Sequence, residues 1–185
     1  EGLRIPIVKF ADKDGPVQPV WDIVRLNVRV PEKVLGDLQA QMAACNAGER
    51  EVMALYERYG VDTMNAYVEH LHDYAERLAR AGIARIPDGT YAFTDTIEGL
   101  GTSGATTFLK VKITIDGSEV LIDWEGTSPQ VRGGINSTLS YTKAAAYCAI
   151  RSVIPAEVPN CHGYTRSITV VAPRGSLVNP IYPGP

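Results

Sequence analysis

The chain has 185 residues, of which 45% are hydrophobic, and its 21 acidic and 18 basic residues give a net charge of −3. This length is enough for one compact domain, or two small ones, with a hydrophobic core. The mild negative charge provides no attraction for nucleic acid or for an anionic membrane surface. No apolar run approaches the roughly 20 residues of a membrane-spanning helix. We therefore expect neither nucleic acid nor a membrane as a partner.

The three cysteines, Cys45, Cys148 and Cys161, are odd in number and far apart in the sequence. This pattern favours a reducing compartment over a disulfide framework. The chain does not open with a basic segment followed by an apolar one, as a secretion signal does. These features predict a cytoplasmic location. Because the first residue is not methionine, we also expect the chain to be part of a longer protein.

The first region, residues 1–20, is predicted to be an extended arm. Pro6 restricts Ile5 to extended conformations, and Asp14-Gly15-Pro16 is typical of a turn. A short helix is predicted to follow over residues 21–29.

The second region, residues 21–88, is predicted to be a helical hairpin. Apolar residues recur at three- and four-residue spacings in two long stretches, which indicates helices with one buried face each. In the first helix this face carries Val34, Leu38, Met42 and Cys45. In the second it carries Met64, Tyr67, Val68, Leu71, Tyr74, Ala75 and Leu78. The predicted helix boundaries are Gly60 as the end of the first helix, Asp62 as the cap of the second and Gly82 as its end.

The third region, residues 89–185, is predicted to be a β-rich unit crossed by one helix over residues 139–154. Alternating apolar residues on both sides of Asp116-Gly117 indicate two strands joined by a tight hairpin turn. Ser137 or Thr138 is the expected cap of the helix. The three regions together predict an α+β fold, as one continuous part of a larger subunit.

The stretch from Asp123 to Ser140 is the strongest candidate for a small-molecule site. It leaves a strand, runs through several glycines and short polar residues, and enters a helix. Backbone N–H groups at a helix start favour anions or a developing oxyanion. The candidate substrate-binding side chains here are Thr127, Ser128, Gln130 and Asn136. An equally weighted alternative is a loop whose polar groups satisfy its own backbone.

Three other patterns point to chemistry less strongly. Asp37 and Gln41 lie four residues apart beside small residues and form a second candidate substrate-binding patch, or else a hydrogen bond to a neighbouring segment. The GxGxxG match over residues 99–104 lacks the following helix of a dinucleotide site, which favours a simple connection between strands. His70 and His72 point to different faces of one helix, so we expect no metal site and no clustering of histidines.

Several blocks of the sequence resemble the hydantoinase B/oxoprolinase family. They are EGLRIPIVKF, RVPEKVLGDLQAQMAAC, PDGTY, DWEGTSPQVRGGIN and APRGSLVNP, and they keep their order along the whole chain. The resemblance implies part of the B-type subunit of an ATP-assisted hydrolase that opens cyclic amides such as hydantoins or 5-oxoproline. The alternatives are part of a carboxylase related to the acetone carboxylase large subunit, or a non-catalytic assembly scaffold built on the small residues 36–48.

The resemblance also implies partners and cofactors for the full complex. An A-type subunit would use ATP, the rest of the B-type subunit would complete the site, and the assembly would be oligomeric. A divalent metal belongs to the same chemistry, but the family's ligands match no residue of this chain, so none is assigned here. No catalytic residue is named either, and the implied role of the loop is substrate positioning and oxyanion stabilisation.

Overall fold

The computed structural model describes residues 3–98 and 106–184, and these form an α+β fold as predicted. The chain divides into two compact units after Asn65, at a point inside a helix. The division into three regions made from the sequence stays a prediction. No helix of the described residues is long and apolar enough to cross a bilayer.

The first unit contains a small β-hairpin and two helices. Its elements are β1 (Ala11–Asp12), β2 (Gly15–Pro16), α1 (Gln18–Asn27) and α2 (Pro31–Tyr59). The two strands are antiparallel, and the chain turns at residues 13–14, so Gly15 and Pro16 of the predicted turn lie in β2. Helix α1 begins three residues earlier than predicted, so the last residues of the expected extended arm are helical. Pro19 suits this position because the first turn of a helix needs no N–H from it.

The core of the first unit is small. Trp21, Val24 and Leu35 are buried, and the Trp21 indole N–H donates a 3.0 Å hydrogen bond to the Phe10 carbonyl oxygen. Val34, Leu38 and Met42 pack partly against this cluster, whereas Cys45 is exposed. The predicted buried face of α2 is therefore confirmed only as far as Met42.

Helix α3 (Val61–Ile83) differs from the prediction at both ends. It begins at Val61, directly after Gly60, so Asp62 lies in its first turn and does not cap it. It also runs through Gly82, which was expected to end it. Gly82 is buried, and a Cβ atom there would lie 2.6 Å from Pro155 Cδ. A glycine is therefore required at this position by packing.

The apolar face of α3 is buried only towards its C-terminal end. Ala75, Ala79 and Ile83 are fully buried. The prediction of one continuous buried face is wrong for the residues before them, because four are between 42% and 66% exposed: Tyr67, Val68, Leu71 and Tyr74.

The second unit is built on a four-stranded sheet in the order β3-β4-β5-β6. The strands are β3 (Gly89–Ile97), β4 (Thr107–Asp116), β5 (Glu119–Asp123) and β6 (Ile168–Val171), with α4 (Leu139–Val153) between β5 and β6. The first three pair in antiparallel fashion and β6 runs parallel to β5. The predicted hairpin turn is confirmed, with Gly117 at a φ of 58°. A parallel neighbour requires a long crossover, which α4 and its flanking loops provide.

The core of the second unit lies between the sheet and its helices. Strands β4 and β5 alternate as predicted, and their inward residues Ile115, Val120 and Ile122 are buried. They share one cluster with α3 and α4 residues, among them Ala79, Ile83, Ala146 and Ile150.

A network of ion pairs lies between α3 and the segments packed beside it. Arg166 contacts Asp73 at 2.8 Å and Glu76 at 3.3 Å. Arg80 contacts Glu76 at 2.8 Å and also pairs with Glu119 at the start of β5. The hydrogen bond from Arg80, with a further bond from Arg166, lowers the pKa of Glu76 below its ordinary value of 4.5.

This lowered pKa predicts an acid-sensitive contribution of Glu76 to stability. A carboxyl group whose pKa is depressed by folding stabilises the folded state above its unfolded pKa, and the contribution disappears as the pH falls through the depressed value. Glu76→Gln should therefore lower the free energy of unfolding at pH 7, and its difference from the wild type should shrink as the pH falls below 4.5. Urea unfolding between pH 7 and pH 3 measures this. Glu49→Gln, at an exposed helical glutamate, is the control; a Glu76→Gln effect independent of pH would contradict the assignment.

Candidate functional site

The loop after β5 begins by continuing the sheet through side chains. The hydroxyl of Thr127 accepts a hydrogen bond from the Lys110 N–H at 3.0 Å and donates one to the Lys110 carbonyl at 2.9 Å. Thr127 is 8% exposed. The Thr127 side chain therefore takes the place of a backbone partner for β4. Without it, the N–H and C=O groups of Lys110 would be unpaired on that side of the strand.

Ser128 repeats this pattern at Phe108, two residues before Lys110 in β4. Its hydroxyl accepts a hydrogen bond from the Phe108 N–H at 2.8 Å, and its own N–H donates to the Phe108 carbonyl at 2.9 Å. Its carbonyl accepts from the Leu177 N–H at 2.9 Å. Ser128 thus holds β4 and the C-terminal segment to the loop.

Gln130 binds the backbone of the C-terminal segment. Its amide oxygen accepts from the Ile181 N–H at 2.7 Å, and its amide nitrogen donates to the Ile181 carbonyl at 2.9 Å and to the Pro183 carbonyl at 3.3 Å. A side-chain amide presents one donor and one acceptor side by side, as a peptide group does. Gln130 therefore holds residues 181–183 as a neighbouring strand would.

Asn136 closes the loop on itself. Its amide oxygen accepts from the Val131 N–H at 2.9 Å, and its amide nitrogen donates to the carbonyls of Val131 at 2.7 Å and Gly133 at 3.1 Å. These bonds fix the glycine-containing turn that leads into α4. The alternative interpretation of the loop, in which polar groups satisfy the backbone, describes these contacts.

Helix α4 begins directly after this turn. Thr138 is its N-cap, as one of the two predicted residues, and its hydroxyl accepts from the Tyr141 N–H at 3.4 Å. One turn later, the buried Thr142 donates to the Val178 carbonyl at 2.8 Å. The loop, α4 and residues 177–183 therefore form one hydrogen-bonded assembly.

The second predicted patch lies in the first unit. Gln41 lines a cleft of about 310 Å³ together with Phe10, Ala11, Leu38, Met42, Cys45 and Asn46. Asp37 is exposed on the same helix and is not part of that lining. The structure thus brings Thr127, Ser128, Gln130 and Asn136 into one assembly and places Gln41 at a separate cleft.

A small cavity beside the loop was not predicted. It measures about 180 Å³ and is mostly apolar, with Trp124, Ile135, Ser137 and Tyr141 from the loop and α4 among its lining residues. The alternation of β5 places Trp124 on the inward face of the sheet, but its partners across the cavity come from distant parts of the chain. The sequence therefore indicated the position of Trp124 but not of the residues across the cavity from it.

Two of the three histidines come together, contrary to expectation. The rings of His72 on α3 and His162 have centroids 6.0 Å apart in an edge-to-face arrangement. The Nδ1 atom of His72 accepts a hydrogen bond from the Gly163 N–H at 3.2 Å. Both rings lie where α3 meets the 3-10 helix His162–Thr165.

These histidines do not fit the divalent metal that the resemblance implies. In residues 3–98 and 106–184, no three His, Cys, Asp or Glu side chains are placed to hold one ion, and the Nδ1 atom of His72 is already engaged. We assign no metal ligand to this chain. The GxGxxG match at residues 99–104 lies outside the described residues.

Comparison with known proteins identifies the family. The family model of hydantoinase B/oxoprolinase matches residues 1–185. The chain belongs to the hydantoinase B/oxoprolinase family. It is 37% identical to a protein of Pseudomonas sp. (strain NS671) assigned as the B-type subunit of a D-/L-hydantoinase, covering 100% of this chain and 33% of the relative. It is 35% identical to the beta chain of the caprolactamase of Pseudomonas jessenii, covering 100% of this chain and 32% of that protein.

Solved structures agree with this membership. The crystal structure of the ATP-dependent caprolactamase from Pseudomonas jessenii matches with a TM-score of 0.85 and 34% identity, over 99% of this chain and 32% of that one. A nucleotide-free acetone carboxylase structure matches with a TM-score of 0.82 and 16% identity, over 97% of this chain and 25% of that one. The second similarity shows a shared fold. The chain spans about a third of the length of the family relatives it matches.

Proposed function

We propose that this chain is part of the B-type subunit of an ATP-assisted cyclic-amide hydrolase. The observation that carries this proposal is the identity of 35–37% over the whole chain with the caprolactamase beta chain and the B-type hydantoinase protein. Caprolactams and hydantoins are both cyclic amides, and the 5-oxoprolinase of Dictyostelium discoideum, 29% identical over 98% of this chain, is named for a third. The partners in this proposal are an A-type subunit that uses ATP and the rest of the B-type subunit, within an oligomeric cytoplasmic complex that also uses a divalent metal.

In this proposal the loop from Asp123 to Ser140 forms one wall of the substrate site. Thr127, Ser128, Gln130 and Asn136 act by fixing the shape of that wall, because their polar groups are held by the backbone of β4, the loop and residues 181–183. Gln41, with Asp37 beside it on α2, is the second proposed substrate-binding patch. Fixed groups of this kind position a substrate without being nucleophiles.

The reaction class is tested by turnover of the complete complex. The complex should hydrolyse caprolactam, a hydantoin or 5-oxoproline only with ATP, and should not consume bicarbonate with acetone. The higher identity to cyclic-amide enzymes than to acetone carboxylase favours this outcome. Bicarbonate-dependent consumption of acetone without lactam hydrolysis would replace the proposal with the carboxylase alternative.

The role of the loop is tested by Gln130→Ala in the same complex. Losing the two bonds to Ile181 frees the C-terminal segment and shifts the loop, and misplacement of a substrate by about 1 Å lowers rates by roughly ten- to hundredfold. We therefore expect kcat/KM to fall by about that factor while the complex still assembles. Gln18→Ala, which removes a local exposed hydrogen bond to Asp22, is the matched control. Unchanged turnover of a folded Gln130→Ala complex would exclude the loop from substrate positioning.

An assembly role for α2 is the second candidate function. Among the described residues, no atom lies within 4 Å of a Cβ added at Gly36 or Gly48, and Ala44 is exposed between them. A small-residue surface of this kind lets another backbone approach closely. Replacing Ala44 with leucine tests the assembly role separately from the hydrolase function. Loss of assembly supports a scaffold role for α2, whereas intact assembly with normal turnover excludes that role.

A further inference from the structure

Among the described residues, strand β3 is paired on one side only and forms an edge of the sheet. It is nine residues long, whereas β6 at the other edge has four. Native proteins usually protect an edge by shortening it or by placing lysine, proline or a bulge there, because unpaired backbone groups attract another strand. In β3 the only charged residue is Asp95, and neither lysine nor proline occurs. This edge therefore lacks the usual protection against pairing.

The hydrogen bonds of β4 show which backbone groups of β3 are open. The N–H and C=O groups of Lys110 and Phe108 bond the loop that follows β5, on the side of β4 away from β3. Hydrogen-bonded and non-hydrogen-bonded pairs alternate along an antiparallel ladder. The β4 residues that bond β3 are therefore the alternate ones, and their partners in β3 include Tyr91, Phe93 and Asp95.

Thr90, Ala92 and Thr94 consequently direct their backbone N–H and C=O groups outward from the sheet. Within residues 3–98 and 106–184, these outward groups have no hydrogen-bond partner. The next outward N–H, that of Thr96, already donates to the Asp95 carboxylate at 2.8 Å. The open edge thus extends over Thr90–Thr94, and Asp95 marks its end.

The core-facing side of β3 is uncovered as well. Tyr91 pairs with Ile113 and Phe93 with Val111, and both β4 residues pack against the core of the second unit. Directly opposed residues of paired strands project to the same face of a sheet. Tyr91 and Phe93 therefore project to the core side, yet they are 45% and 66% exposed. A further strand beside β3, with apolar side chains on this face, would cover both rings.

We propose that the outer edge of β3, over Thr90–Thr94, pairs with a β-strand from the part of the B-type subunit that lies outside this chain. The inference rests on that part of the proposed function which assigns the chain to a B-type subunit, since the chain spans about a third of its relatives' length. Main-chain hydrogen bonds hold the added strand, and its alternate apolar residues cover Tyr91 and Phe93.

The area at this edge favours a strand of the same subunit over a second copy of the chain. An aromatic side chain buries about 150–250 Å². Because Tyr91 and Phe93 are about half exposed, the rings of two copies would supply less than half of the roughly 1,200 Å² of a stable interface. A strand of the same subunit does not need this area, because its pairing is intramolecular.

Hydrogen–deuterium exchange of backbone amides in the complete wild-type complex tests the pairing. The outward amides of Thr90, Ala92 and Thr94 should exchange about a hundredfold or more slowly than unpaired amides, as the inward amides of Tyr91 and Phe93 do. Ala92→Pro removes one outward N–H without breaking a bond to β4, so exchange at Thr90 and Thr94 should become about tenfold faster or more. Ala92→Val keeps the N–H and is the matched control.

Rapid exchange of these outward amides in the wild type would overturn the inference. So would an Ala92→Pro complex in which Thr90 and Thr94 stay as protected as in the control. If Ala92→Pro does not fold, the wild-type exchange decides.

A photoreactive side chain identifies the source of the strand. Benzoylphenylalanine in place of Phe93, which is 66% exposed, should form a link within one subunit to a peptide outside this chain. A link to residues 1–185, to a second copy or to the A-type subunit contradicts the proposed occupant. Neither readout depends on turnover. If the complex hydrolyses caprolactam while the outward amides exchange rapidly, the inference fails and the hydrolase function stands; protected amides in a complex that hydrolyses no cyclic amide give the opposite result.

Discussion

Replacing Gly163 with alanine is expected to destabilise the protein by about 3 kcal/mol or more, the upper part of the range for overpacked sites. Gly163 lies in the 3-10 helix His162–Thr165, and a Cβ atom there would be 2.1 Å from the backbone oxygen of His72. That oxygen belongs to α3 and cannot rotate away as a side chain does. The two segments would have to separate, which would also break the bond from the Gly163 N–H to His72 Nδ1.

Thermal unfolding of the wild type and Gly163→Ala measures this effect. For a chain of this size the expected loss corresponds to a decrease in Tm of roughly 6 to 12 °C. Gly134→Ala is the matched control, because no atom of the residues that the structure describes lies within 4 Å of an added Cβ and the backbone there is outside the left-handed region. The control should stay within about 0.5 kcal/mol of the wild type. Equal stability of the two variants would show that α3 and the 3-10 helix do not approach as closely as described.

Replacing Thr127 with valine is expected to cost about 1–3 kcal/mol, the penalty for leaving buried polar groups unpaired. Valine has nearly the shape of threonine but cannot bond the Lys110 N–H and C=O groups. Because Thr127 is buried, water does not replace the lost hydroxyl. Strand β4 would lose its partner at this point, and the loop that starts at Thr127 would loosen.

Thr127→Ser is the control for this prediction. Serine keeps the hydroxyl and loses a methyl group, so its cost should be about 1 kcal/mol, smaller than that of valine. Urea unfolding gives the order of stability as wild type, serine, valine. If valine proved as stable as the wild type, the hydroxyl would be free of a structural role and direct contact with a substrate would become the better interpretation of Thr127.

The local elements of the fold follow from the sequence. The spacing of apolar residues predicted α2, and a helix after a cap at Ser137 or Thr138 predicted α4, both to within a residue or two. Alternation predicted β4 and β5 with the turn at Gly117. These predictions are accurate because a helix or a hairpin depends on neighbours within a few residues. The family was also identifiable from the sequence, since its blocks run along the whole chain.

Long-range contacts decided the features that the sequence left open or predicted wrongly. From local preferences Asp62 is predicted to cap α3 and Gly82 to end it, but the helix includes both residues. At the C-terminal end the physical reason is packing, because Gly82 lies against Ile154 and Pro155. The exposure of Tyr67 could not be predicted, because apolar spacing indicates that a face exists without specifying what covers it.

The candidate site shows the same division between local and distant information. Turn and cap residues act locally, so the polar, glycine-containing loop from β5 into α4 was predictable from the residues alone. The hydrogen-bond partners of those polar groups became known from the folded chain. Thr127 bonds Lys110, and Gln130 bonds Ile181, 51 residues away. Hydrogen-bond partners so distant in sequence are set by strand order and chain crossover, which local preferences do not encode.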